Sequence, residues 1–213
     1  MVSLHDLYYR GLADRPDIPQ PDIAKHTANP IVADLKDELT GEAKALHDRP
    51  FSENAVIVPW LKSHIRQLAP NYLYELSRRV FSYSREEAFA WYWVGHIRAR
   101  YDAIRCRDRT ARQGILALSN IAPDVQEALY EDDAQARSAA TMALVMEVEF
   151  PTGTLPLWIC RLGTQDILAE REGKTLLLFD EVVVPASEWK TLRDRIRAGF
   201  SEGIEKQPQD KPQ

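Results

Sequence analysis

The segment Ser84–Arg112, SREEAFAWYWVGHIRARYDAIRCRDRTAR, predicts one long helix in the interior of the protein. Ser84 and Glu87 have capping-box spacing, in which each side chain accepts a hydrogen bond from the other residue's N–H, so the helix is expected to begin here. With successive residues placed about 100° apart, apolar side chains fill most of the circumference. Because such a helix needs cover on at least two sides, the rest of the chain is expected to pack around it.

A narrow polar strip remains on this predicted helix. Its arginines, interleaved with Asp102, have the spacing of a salt-bridged and solvated helix face. An aromatic residue falls on the same strip, and protein interfaces concentrate aromatic residues and arginine. The candidate interface residues are Trp91, Arg98, Arg105, Arg109 and Arg112.

Two further arginines, Arg100 and Arg107, fall inside the apolar arc and are expected to be buried. A buried guanidinium needs an anion, and segment 124–149 offers seven acidic residues against one base, so structural ion pairing is the favoured interpretation. The functional alternative is an anion pocket, since guanidinium groups bind phosphate and carboxylate through paired hydrogen bonds. Its candidate residues are Arg100, Arg107, His96 and Tyr101.

The rest of the chain divides into regions by its pattern of proline, apolar and charged residues. Residues 1–28 contain spaced prolines and are predicted to form an extended arm, because proline fixes φ and lacks an N–H. Residues 29–143 are predicted to form a succession of helices joined by short turns. Residues 205–213 contain no apolar side chain and are predicted to be a disordered tail.

Residues 144–204 predict a small antiparallel sheet followed by a closing helix. Apolar residues alternate with glutamates over 146–150, which is typical of a half-buried strand. After the turn residues at 151–154, the apolar runs 155–162, 175–179 and 182–184 predict further strands. The predicted fold class is therefore α+β, mostly helical in its N-terminal two-thirds, arranged as one unit or as two closely packed subdomains.

Composition argues against several classes of protein. The 213 residues carry a net charge of −5 with a pI near 5.6, unlike proteins that coat nucleic acid or anionic membranes. Cys106 and Cys160 are far apart in apolar surroundings, so two reduced, buried thiols are expected. The N-terminal residues do not resemble a secretory signal, and no apolar run approaches the roughly 20 residues of a spanning helix. A cytoplasmic location without membrane insertion is therefore expected.

No short motif of an enzyme, a metal site or a nucleotide site occurs in the chain. The histidines and cysteines lack metal-ligand spacing, and neither a glycine-rich phosphate loop nor a nucleophile elbow is present. We therefore expect no metal, no cofactor and no assignable catalytic residue. His96, in the middle of the predicted helix, is expected to be a hydrogen-bonded core residue.

These patterns favour a non-enzymatic, cytoplasmic, protein-binding module, an accessory or inhibitory factor that occupies the surface of a partner protein. An inhibitor of conjugative plasmid transfer in bacteria is one example of that class, although no residue indicates it specifically. Two alternatives remain open. One is an enzyme or sensor with the arginine-lined anion pocket, and the other is a nucleic-acid binder that uses the Arg98–Arg112 strip, which the acidic composition does not favour.

Overall fold

The computed structural model describes residues 44–173 and 179–206, which form an all-helical bundle. The α-helices are α1 Lys44–Asp48, α2 Asn54–Ser63, α3 Pro70–Val80, α4 Arg85–Ile104, α5 Pro123–Glu131, α6 Asp133–Glu149, α7 Leu157–Cys160, α8 Thr164–Arg171, α9 Phe179–Val182 and α10 Trp189–Lys206. Within these ranges, 3-10 segments lie at Phe51–Glu53, Arg109–Ile121 and Ala186–Glu188. The predicted arm 1–28 lies outside the described residues, as does the predicted tail except Glu205 and Lys206, which belong to α10.

Helix α4 occupies the centre of the bundle and packs against α3, α6 and α10. Its side chains Phe89, Ile97 and Tyr101 are at most 1% exposed, which confirms the predicted interior helix. A Cβ added at Gly95 would lie 3.1 Å from the ring of Tyr74, so the glycine permits the close approach of α3 and α4.

The N-terminal cap of α4 matches half of the predicted capping box. The Ser84 hydroxyl accepts a hydrogen bond from the Glu87 N–H at 3.3 Å, which confirms the predicted start. The Glu87 carboxylate accepts from Trp91 Nε1 at 2.9 Å and pairs with Lys62 instead of reaching back to Ser84. The helix ends at Ile104, well before the predicted Arg112, and the chain continues into the 3-10 segment Arg109–Ile121.

The predicted antiparallel sheet is wrong, because the described residues contain no strand. Residues 146–150 belong to the end of α6 and its C-cap, and residues 157–160 of the second predicted strand form α7. The third run, 175–179, lies outside the described residues except Phe179, which begins α9. Extended pairing in the described chain is limited to one isolated antiparallel bridge between Cys106 and Val183.

The alternation of apolar residues and glutamates at 146–150 led to a wrong prediction. Five residues are too few to distinguish the two-residue period of a strand from the 3.6-residue period of a helix. In the structure Glu147 is 1% exposed, whereas Val148 is 64% exposed, the reverse of a strand with an apolar buried face. The alanine-rich segment before it has high helix propensity, and α6 runs without a break from Asp133 to Glu149. Burial of Glu147 follows from its partner, since Arg98 Nε lies 2.7 Å from its Oε2.

The helical phase of the central arginines is the opposite of the prediction. Arg98 and Arg105 are 1% exposed, and Asp102 is fully buried, whereas Arg100 and Arg107 are exposed. Since almost the whole circumference of α4 is apolar, the apolar pattern fixes the orientation of the arginines only weakly. Partners fix it instead, because Arg98 pairs with Glu147 and Arg105 with Asp102.

Arginines also hold the connection that follows α6. Arg98 donates to the carbonyl oxygen of Phe150, Arg193 to that of Thr152 at 3.1 Å and Arg105 to that of Thr154 at 3.0 Å. These carbonyl oxygens therefore accept hydrogen bonds from arginine side chains. In a hairpin they would accept them from backbone N–H groups of the opposite strand. Residues 150–154 therefore form a loop clamped against α4 and α10, not the predicted hairpin turn.

Cys106 and Cys160 form a disulfide, which corrects the prediction of two reduced thiols. The bond joins the residues just after α4 to α7 across 54 positions of sequence, and both side chains lie in one apolar cluster. Sequence distance hid the pairing, since only the folded chain brings the two Cα atoms to 5.2 Å. Disulfides persist in oxidising compartments, so the cysteines no longer support the expected cytoplasmic location.

Candidate functional site

A cleft of about 640 Å³ opens between α4, α5, α6 and α10. Its lining combines aromatic side chains, three arginines and several alanine and glycine residues. That volume lies within the range of about 300–1,000 Å³ that small-molecule sites occupy. The residues that line it include Tyr92, Trp93, His96, Arg100, Tyr130, Asp133, Ala136, Arg137, Ala140, Arg195, Gly199, Phe200 and Gly203.

Aromatic rings line one part of the cleft. Tyr92 and Trp93 lie four and three residues before His96, so both project to the same side of α4 as His96. The ring of Trp93 lies edge-on to those of His96 and Phe200, with centroid distances of 5.4 Å in both cases. Phe200 comes from α10, so this contact joins the two helices at the cleft.

His96 is held in its neutral form. Burial, with a further effect from the positive charge of Arg100, lowers its pKa from 6.5 to about 3. The Tyr74 hydroxyl lies 3.4 Å from His96 Nδ1, at the long end of hydrogen-bond distance. At neutral pH the imidazole is therefore uncharged, and the ring nitrogen that does not contact Tyr74 can form a hydrogen bond to a ligand.

Three arginines line the cleft, one from each of three helices. Arg100 lies on α4 and Arg195 on α10, both exposed, and Arg137 on α6 is half-buried. No residue in the described part of the chain forms an ion pair with Arg100 or Arg195. One carboxylate, that of Asp133, is among the described lining residues, so the positive charges exceed the negative ones. The cleft therefore combines an excess of guanidinium charge with aromatic walls.

The structure places half of the predicted anion pocket in this cleft. His96 and Arg100 line it, but Tyr101 and Arg107 do not. Tyr101 is buried beneath the guanidinium of Arg105, whose Cζ lies 4.2 Å from the ring centroid. Arg107 donates from Nε to the carbonyl oxygens of Asp180 and Val183, so its expected burial is wrong and it fastens α9 to the end of α4.

Sequence reasoning missed Arg137 and Arg195. Each is one of several charged residues on its helix and lies far in sequence from Arg100, so no local motif distinguishes it. The signal that could have found them is the small residues nearby. Ala136 and Ala140 lie next to Arg137 on α6, and glycines follow Arg195 on α10, a pattern that leaves space beside a charged group.

The predicted interface strip does not form one surface. Arg98 and Arg105 are buried in ion pairs, and Trp91 is only 8% exposed, with its indole N–H bonded to Glu87. Arg109 and Arg112 are exposed, but they belong to the 3-10 segment and not to α4. The prediction of an exposed strip is wrong because it assumed a straight helix through Arg112 and the opposite helical phase.

One polar atom among the lining residues has no partner. The indole Nε1 of Trp93 is buried, and no residue in the described ranges accepts a hydrogen bond from it. A buried, unpaired N–H lowers the stability of the fold.

Residues 44–173 and 179–206 include no group of three or more histidine, cysteine, aspartate or glutamate side chains arranged to bind a metal ion. In the same ranges, no helix combines the length and the apolar composition needed to cross a bilayer. Comparisons with protein-family models, curated proteins and solved structures found no match to this chain.

Proposed function

We propose that the protein binds a small organic anion in the cleft between α4, α5, α6 and α10, as a ligand-binding or sensor protein. The observation that carries the proposal is the combination of Arg100 and Arg195, which lack ion-pair partners among the described residues, with an aromatic wall. Guanidinium groups bind carboxylate and phosphate bidentately, and aromatic rings bind the apolar part of a ligand.

Electrostatics of the cleft support the same function. Arg100 and Arg195 are positively charged, and no described residue forms an ion pair with either of them. An anion that binds to them gains charge-assisted hydrogen bonds, each stronger than a bond between neutral groups. Neutral His96 adds no charge to this balance, and it remains available as a hydrogen-bonding group.

Two other hypotheses have less structural support. A protein-binding accessory or inhibitory factor, such as an inhibitor of plasmid transfer, stays a prediction, but its proposed anchor Trp91 is buried. A nucleic-acid binder would need the exposed Arg98–Arg112 strip, and Arg98 and Arg105 are committed to buried ion pairs. The anion-binding alternative gains support because His96 and Arg100 are joined there by two further arginines.

Calorimetric titration with 2-naphthyl phosphate and octyl phosphate tests the proposal, with uncharged 2-naphthol as the comparison ligand. We expect both phosphates to bind to the whole chain in a salt-dependent manner, and 2-naphthol to bind more weakly. The double variant Arg100→Gln/Arg195→Gln should lose about tenfold or more in affinity for both, since a hydrogen bond to a charged group contributes about 1.5–3 kcal/mol.

The matched control is Arg109→Gln/Arg112→Gln, which removes the same charge from exposed positions outside the cleft. It should change either affinity less than about twofold, because distant surface charges are screened by salt. Equal losses in the two double variants would show that overall charge, not the cleft, attracts the anion. Failure of both phosphates to bind would overturn the proposed function.

A further inference from the structure

We propose that Gly199 and Gly203 keep one wall of the cleft open so that a planar aromatic ring system of the anion lies against the backbone of α10. This inference rests on the proposed function, and it narrows the ligand from organic anions in general to aromatic carboxylates or phosphates. Gly199 and Gly203 are four residues apart, so they lie on the same side of α10, and both line the cleft.

Packing does not require either glycine. A Cβ added at Gly199 or Gly203 would meet no atom within 4 Å, unlike one added at Gly95, which would touch Tyr74 at 3.1 Å. Neither residue has the positive φ that favours glycine, since Gly173 is the only described residue with positive φ. Glycine within a helix lowers stability relative to alanine. Neither packing nor backbone conformation therefore explains why glycine occupies these two positions.

The wall contributed by α6 carries small residues at the same spacing. Ala136 and Ala140 line the cleft, so α6 places no large side chain at these two positions of the wall. The rings of Trp93 and Phe200 lie in the same cleft. A flat ring gains edge or stacking contacts with these side chains, which an alkyl chain of similar size does not gain.

Polar groups account for the rest of such a ligand. Arg100 and Arg195 line the cleft and can bind its carboxylate or phosphate. The arrangement therefore fits a planar aromatic ring that carries an anionic group.

The test compares Gly199→Ala, Gly203→Ala and the double variant with the wild-type protein. Each methyl group would occupy the open wall, so we expect the double variant to bind 2-naphthyl phosphate about tenfold or more weakly. Its affinity for octyl phosphate should fall less than about threefold, because a flexible chain can move around the added methyl groups. Without ligand, its melting temperature should rise, since alanine favours the helix.

Ala198→Ser is the matched control, because it adds one heavy atom to an exposed position of α10 outside the cleft. It should leave both affinities unchanged. Unchanged affinity of the glycine variants for 2-naphthyl phosphate, or equal losses for both phosphates, would overturn the aromatic inference while the proposed function stands. A lower melting temperature would show that the glycines are structural, which also overturns it. If the arginine variants change nothing, the proposed function itself fails.

Discussion

Arg98 and Arg100 are two residues apart on α4, but Arg98 lies in the core of the protein and Arg100 lies at the surface, in the cleft. Arg98 is buried, with its guanidinium bonded to the Glu147 carboxylate and to the carbonyl oxygens of Ile65 and Phe150. Arg100 is exposed at the cleft, where no described residue forms an ion pair with it. An arginine side chain therefore stabilises the fold at position 98, whereas at position 100 it stays available to a ligand.

The comparison shows that a structural arginine differs from one available to a ligand in how many acceptor groups of the protein surround its guanidinium. Burial removes water, so every donor of Arg98 needs a protein acceptor, and those acceptors come from three parts of the chain. Arg100 is exposed, so its guanidinium is accessible to solvent. An anion can bind it without breaking an ion pair within the described residues.

The largest expected effect is the loss of Arg98. In Arg98→Ala the buried Glu147 carboxylate loses its main partner, which should lower the free energy of unfolding by about 3–5 kcal/mol. Urea denaturation measures this loss. The double variant Arg98→Met/Glu147→Met should recover part of it, because it removes both charges of the buried pair. A loss below about 1 kcal/mol in Arg98→Ala would contradict the buried pair and would make Arg98 resemble Arg100.

Reduction of the disulfide should have the next largest effect. The Cys106–Cys160 bond closes a loop of 54 residues, and restriction of the unfolded chain should contribute about 2–4 kcal/mol. Denaturation with and without dithiothreitol measures this contribution. In Cys106→Ala/Cys160→Ala, reductant should have no effect. Identical stability of the wild-type protein in both conditions, with two free thiols titrated after unfolding, would show that the cysteines are not bridged.

His96 should make the cleft region sensitive to acid. Its pKa is about 3 in the folded protein and 6.5 in the unfolded chain, so the unfolded chain binds the extra proton between these values. His96 therefore does not reduce the free energy of unfolding above pH 6.5, but it reduces it progressively as the pH falls from 6.5 towards 3. In this range the free energy of unfolding decreases by at most about 1.4 kcal/mol per pH unit, and by less where water screens the half-buried ring.

Denaturation of His96→Gln across the same pH range isolates this contribution from other titrating groups. The charged groups of the cleft near His96 are Arg100, Asp133, Arg137 and Arg195, and Tyr74 contacts its ring nitrogen. All remain in the variant, so the wild type should lose more stability than His96→Gln on acidification. Parallel pH profiles would show that His96 keeps an ordinary pKa.

The smallest expected effect on stability is that of Arg100→Ala. Since no described residue pairs with Arg100, its removal should change the free energy of unfolding by less than about 0.5 kcal/mol. Urea denaturation in parallel with Arg98→Ala gives the direct comparison. A loss of similar size in both variants would remove the distinction between the two regions.

Local signals in the sequence predicted several elements well. The Ser84 cap, the interior position of α4 and the closing helix are all confirmed, and Ile196 and Phe200 of that closing helix pack against the core. Each depends on a pattern within a few turns of one helix, which propensity and periodicity can report. The 146–150 alternation failed because a short pattern fits two periods, and the preceding alanine-rich helix decided between them.

By itself, the sequence determined that a largely apolar helix lies at the centre, and it identified His96 and Arg100 as candidates for an anion site. Tertiary structure decided which arginines are buried, because burial depends on acceptors such as Glu147 and the Phe150 carbonyl, about fifty residues away. It also paired Cys106 with Cys160 and brought Arg137 and Arg195 to the cleft. Local patterns record propensity, whereas partners distant in the chain are selected only when packing excludes water and each buried polar group must find an acceptor or a donor.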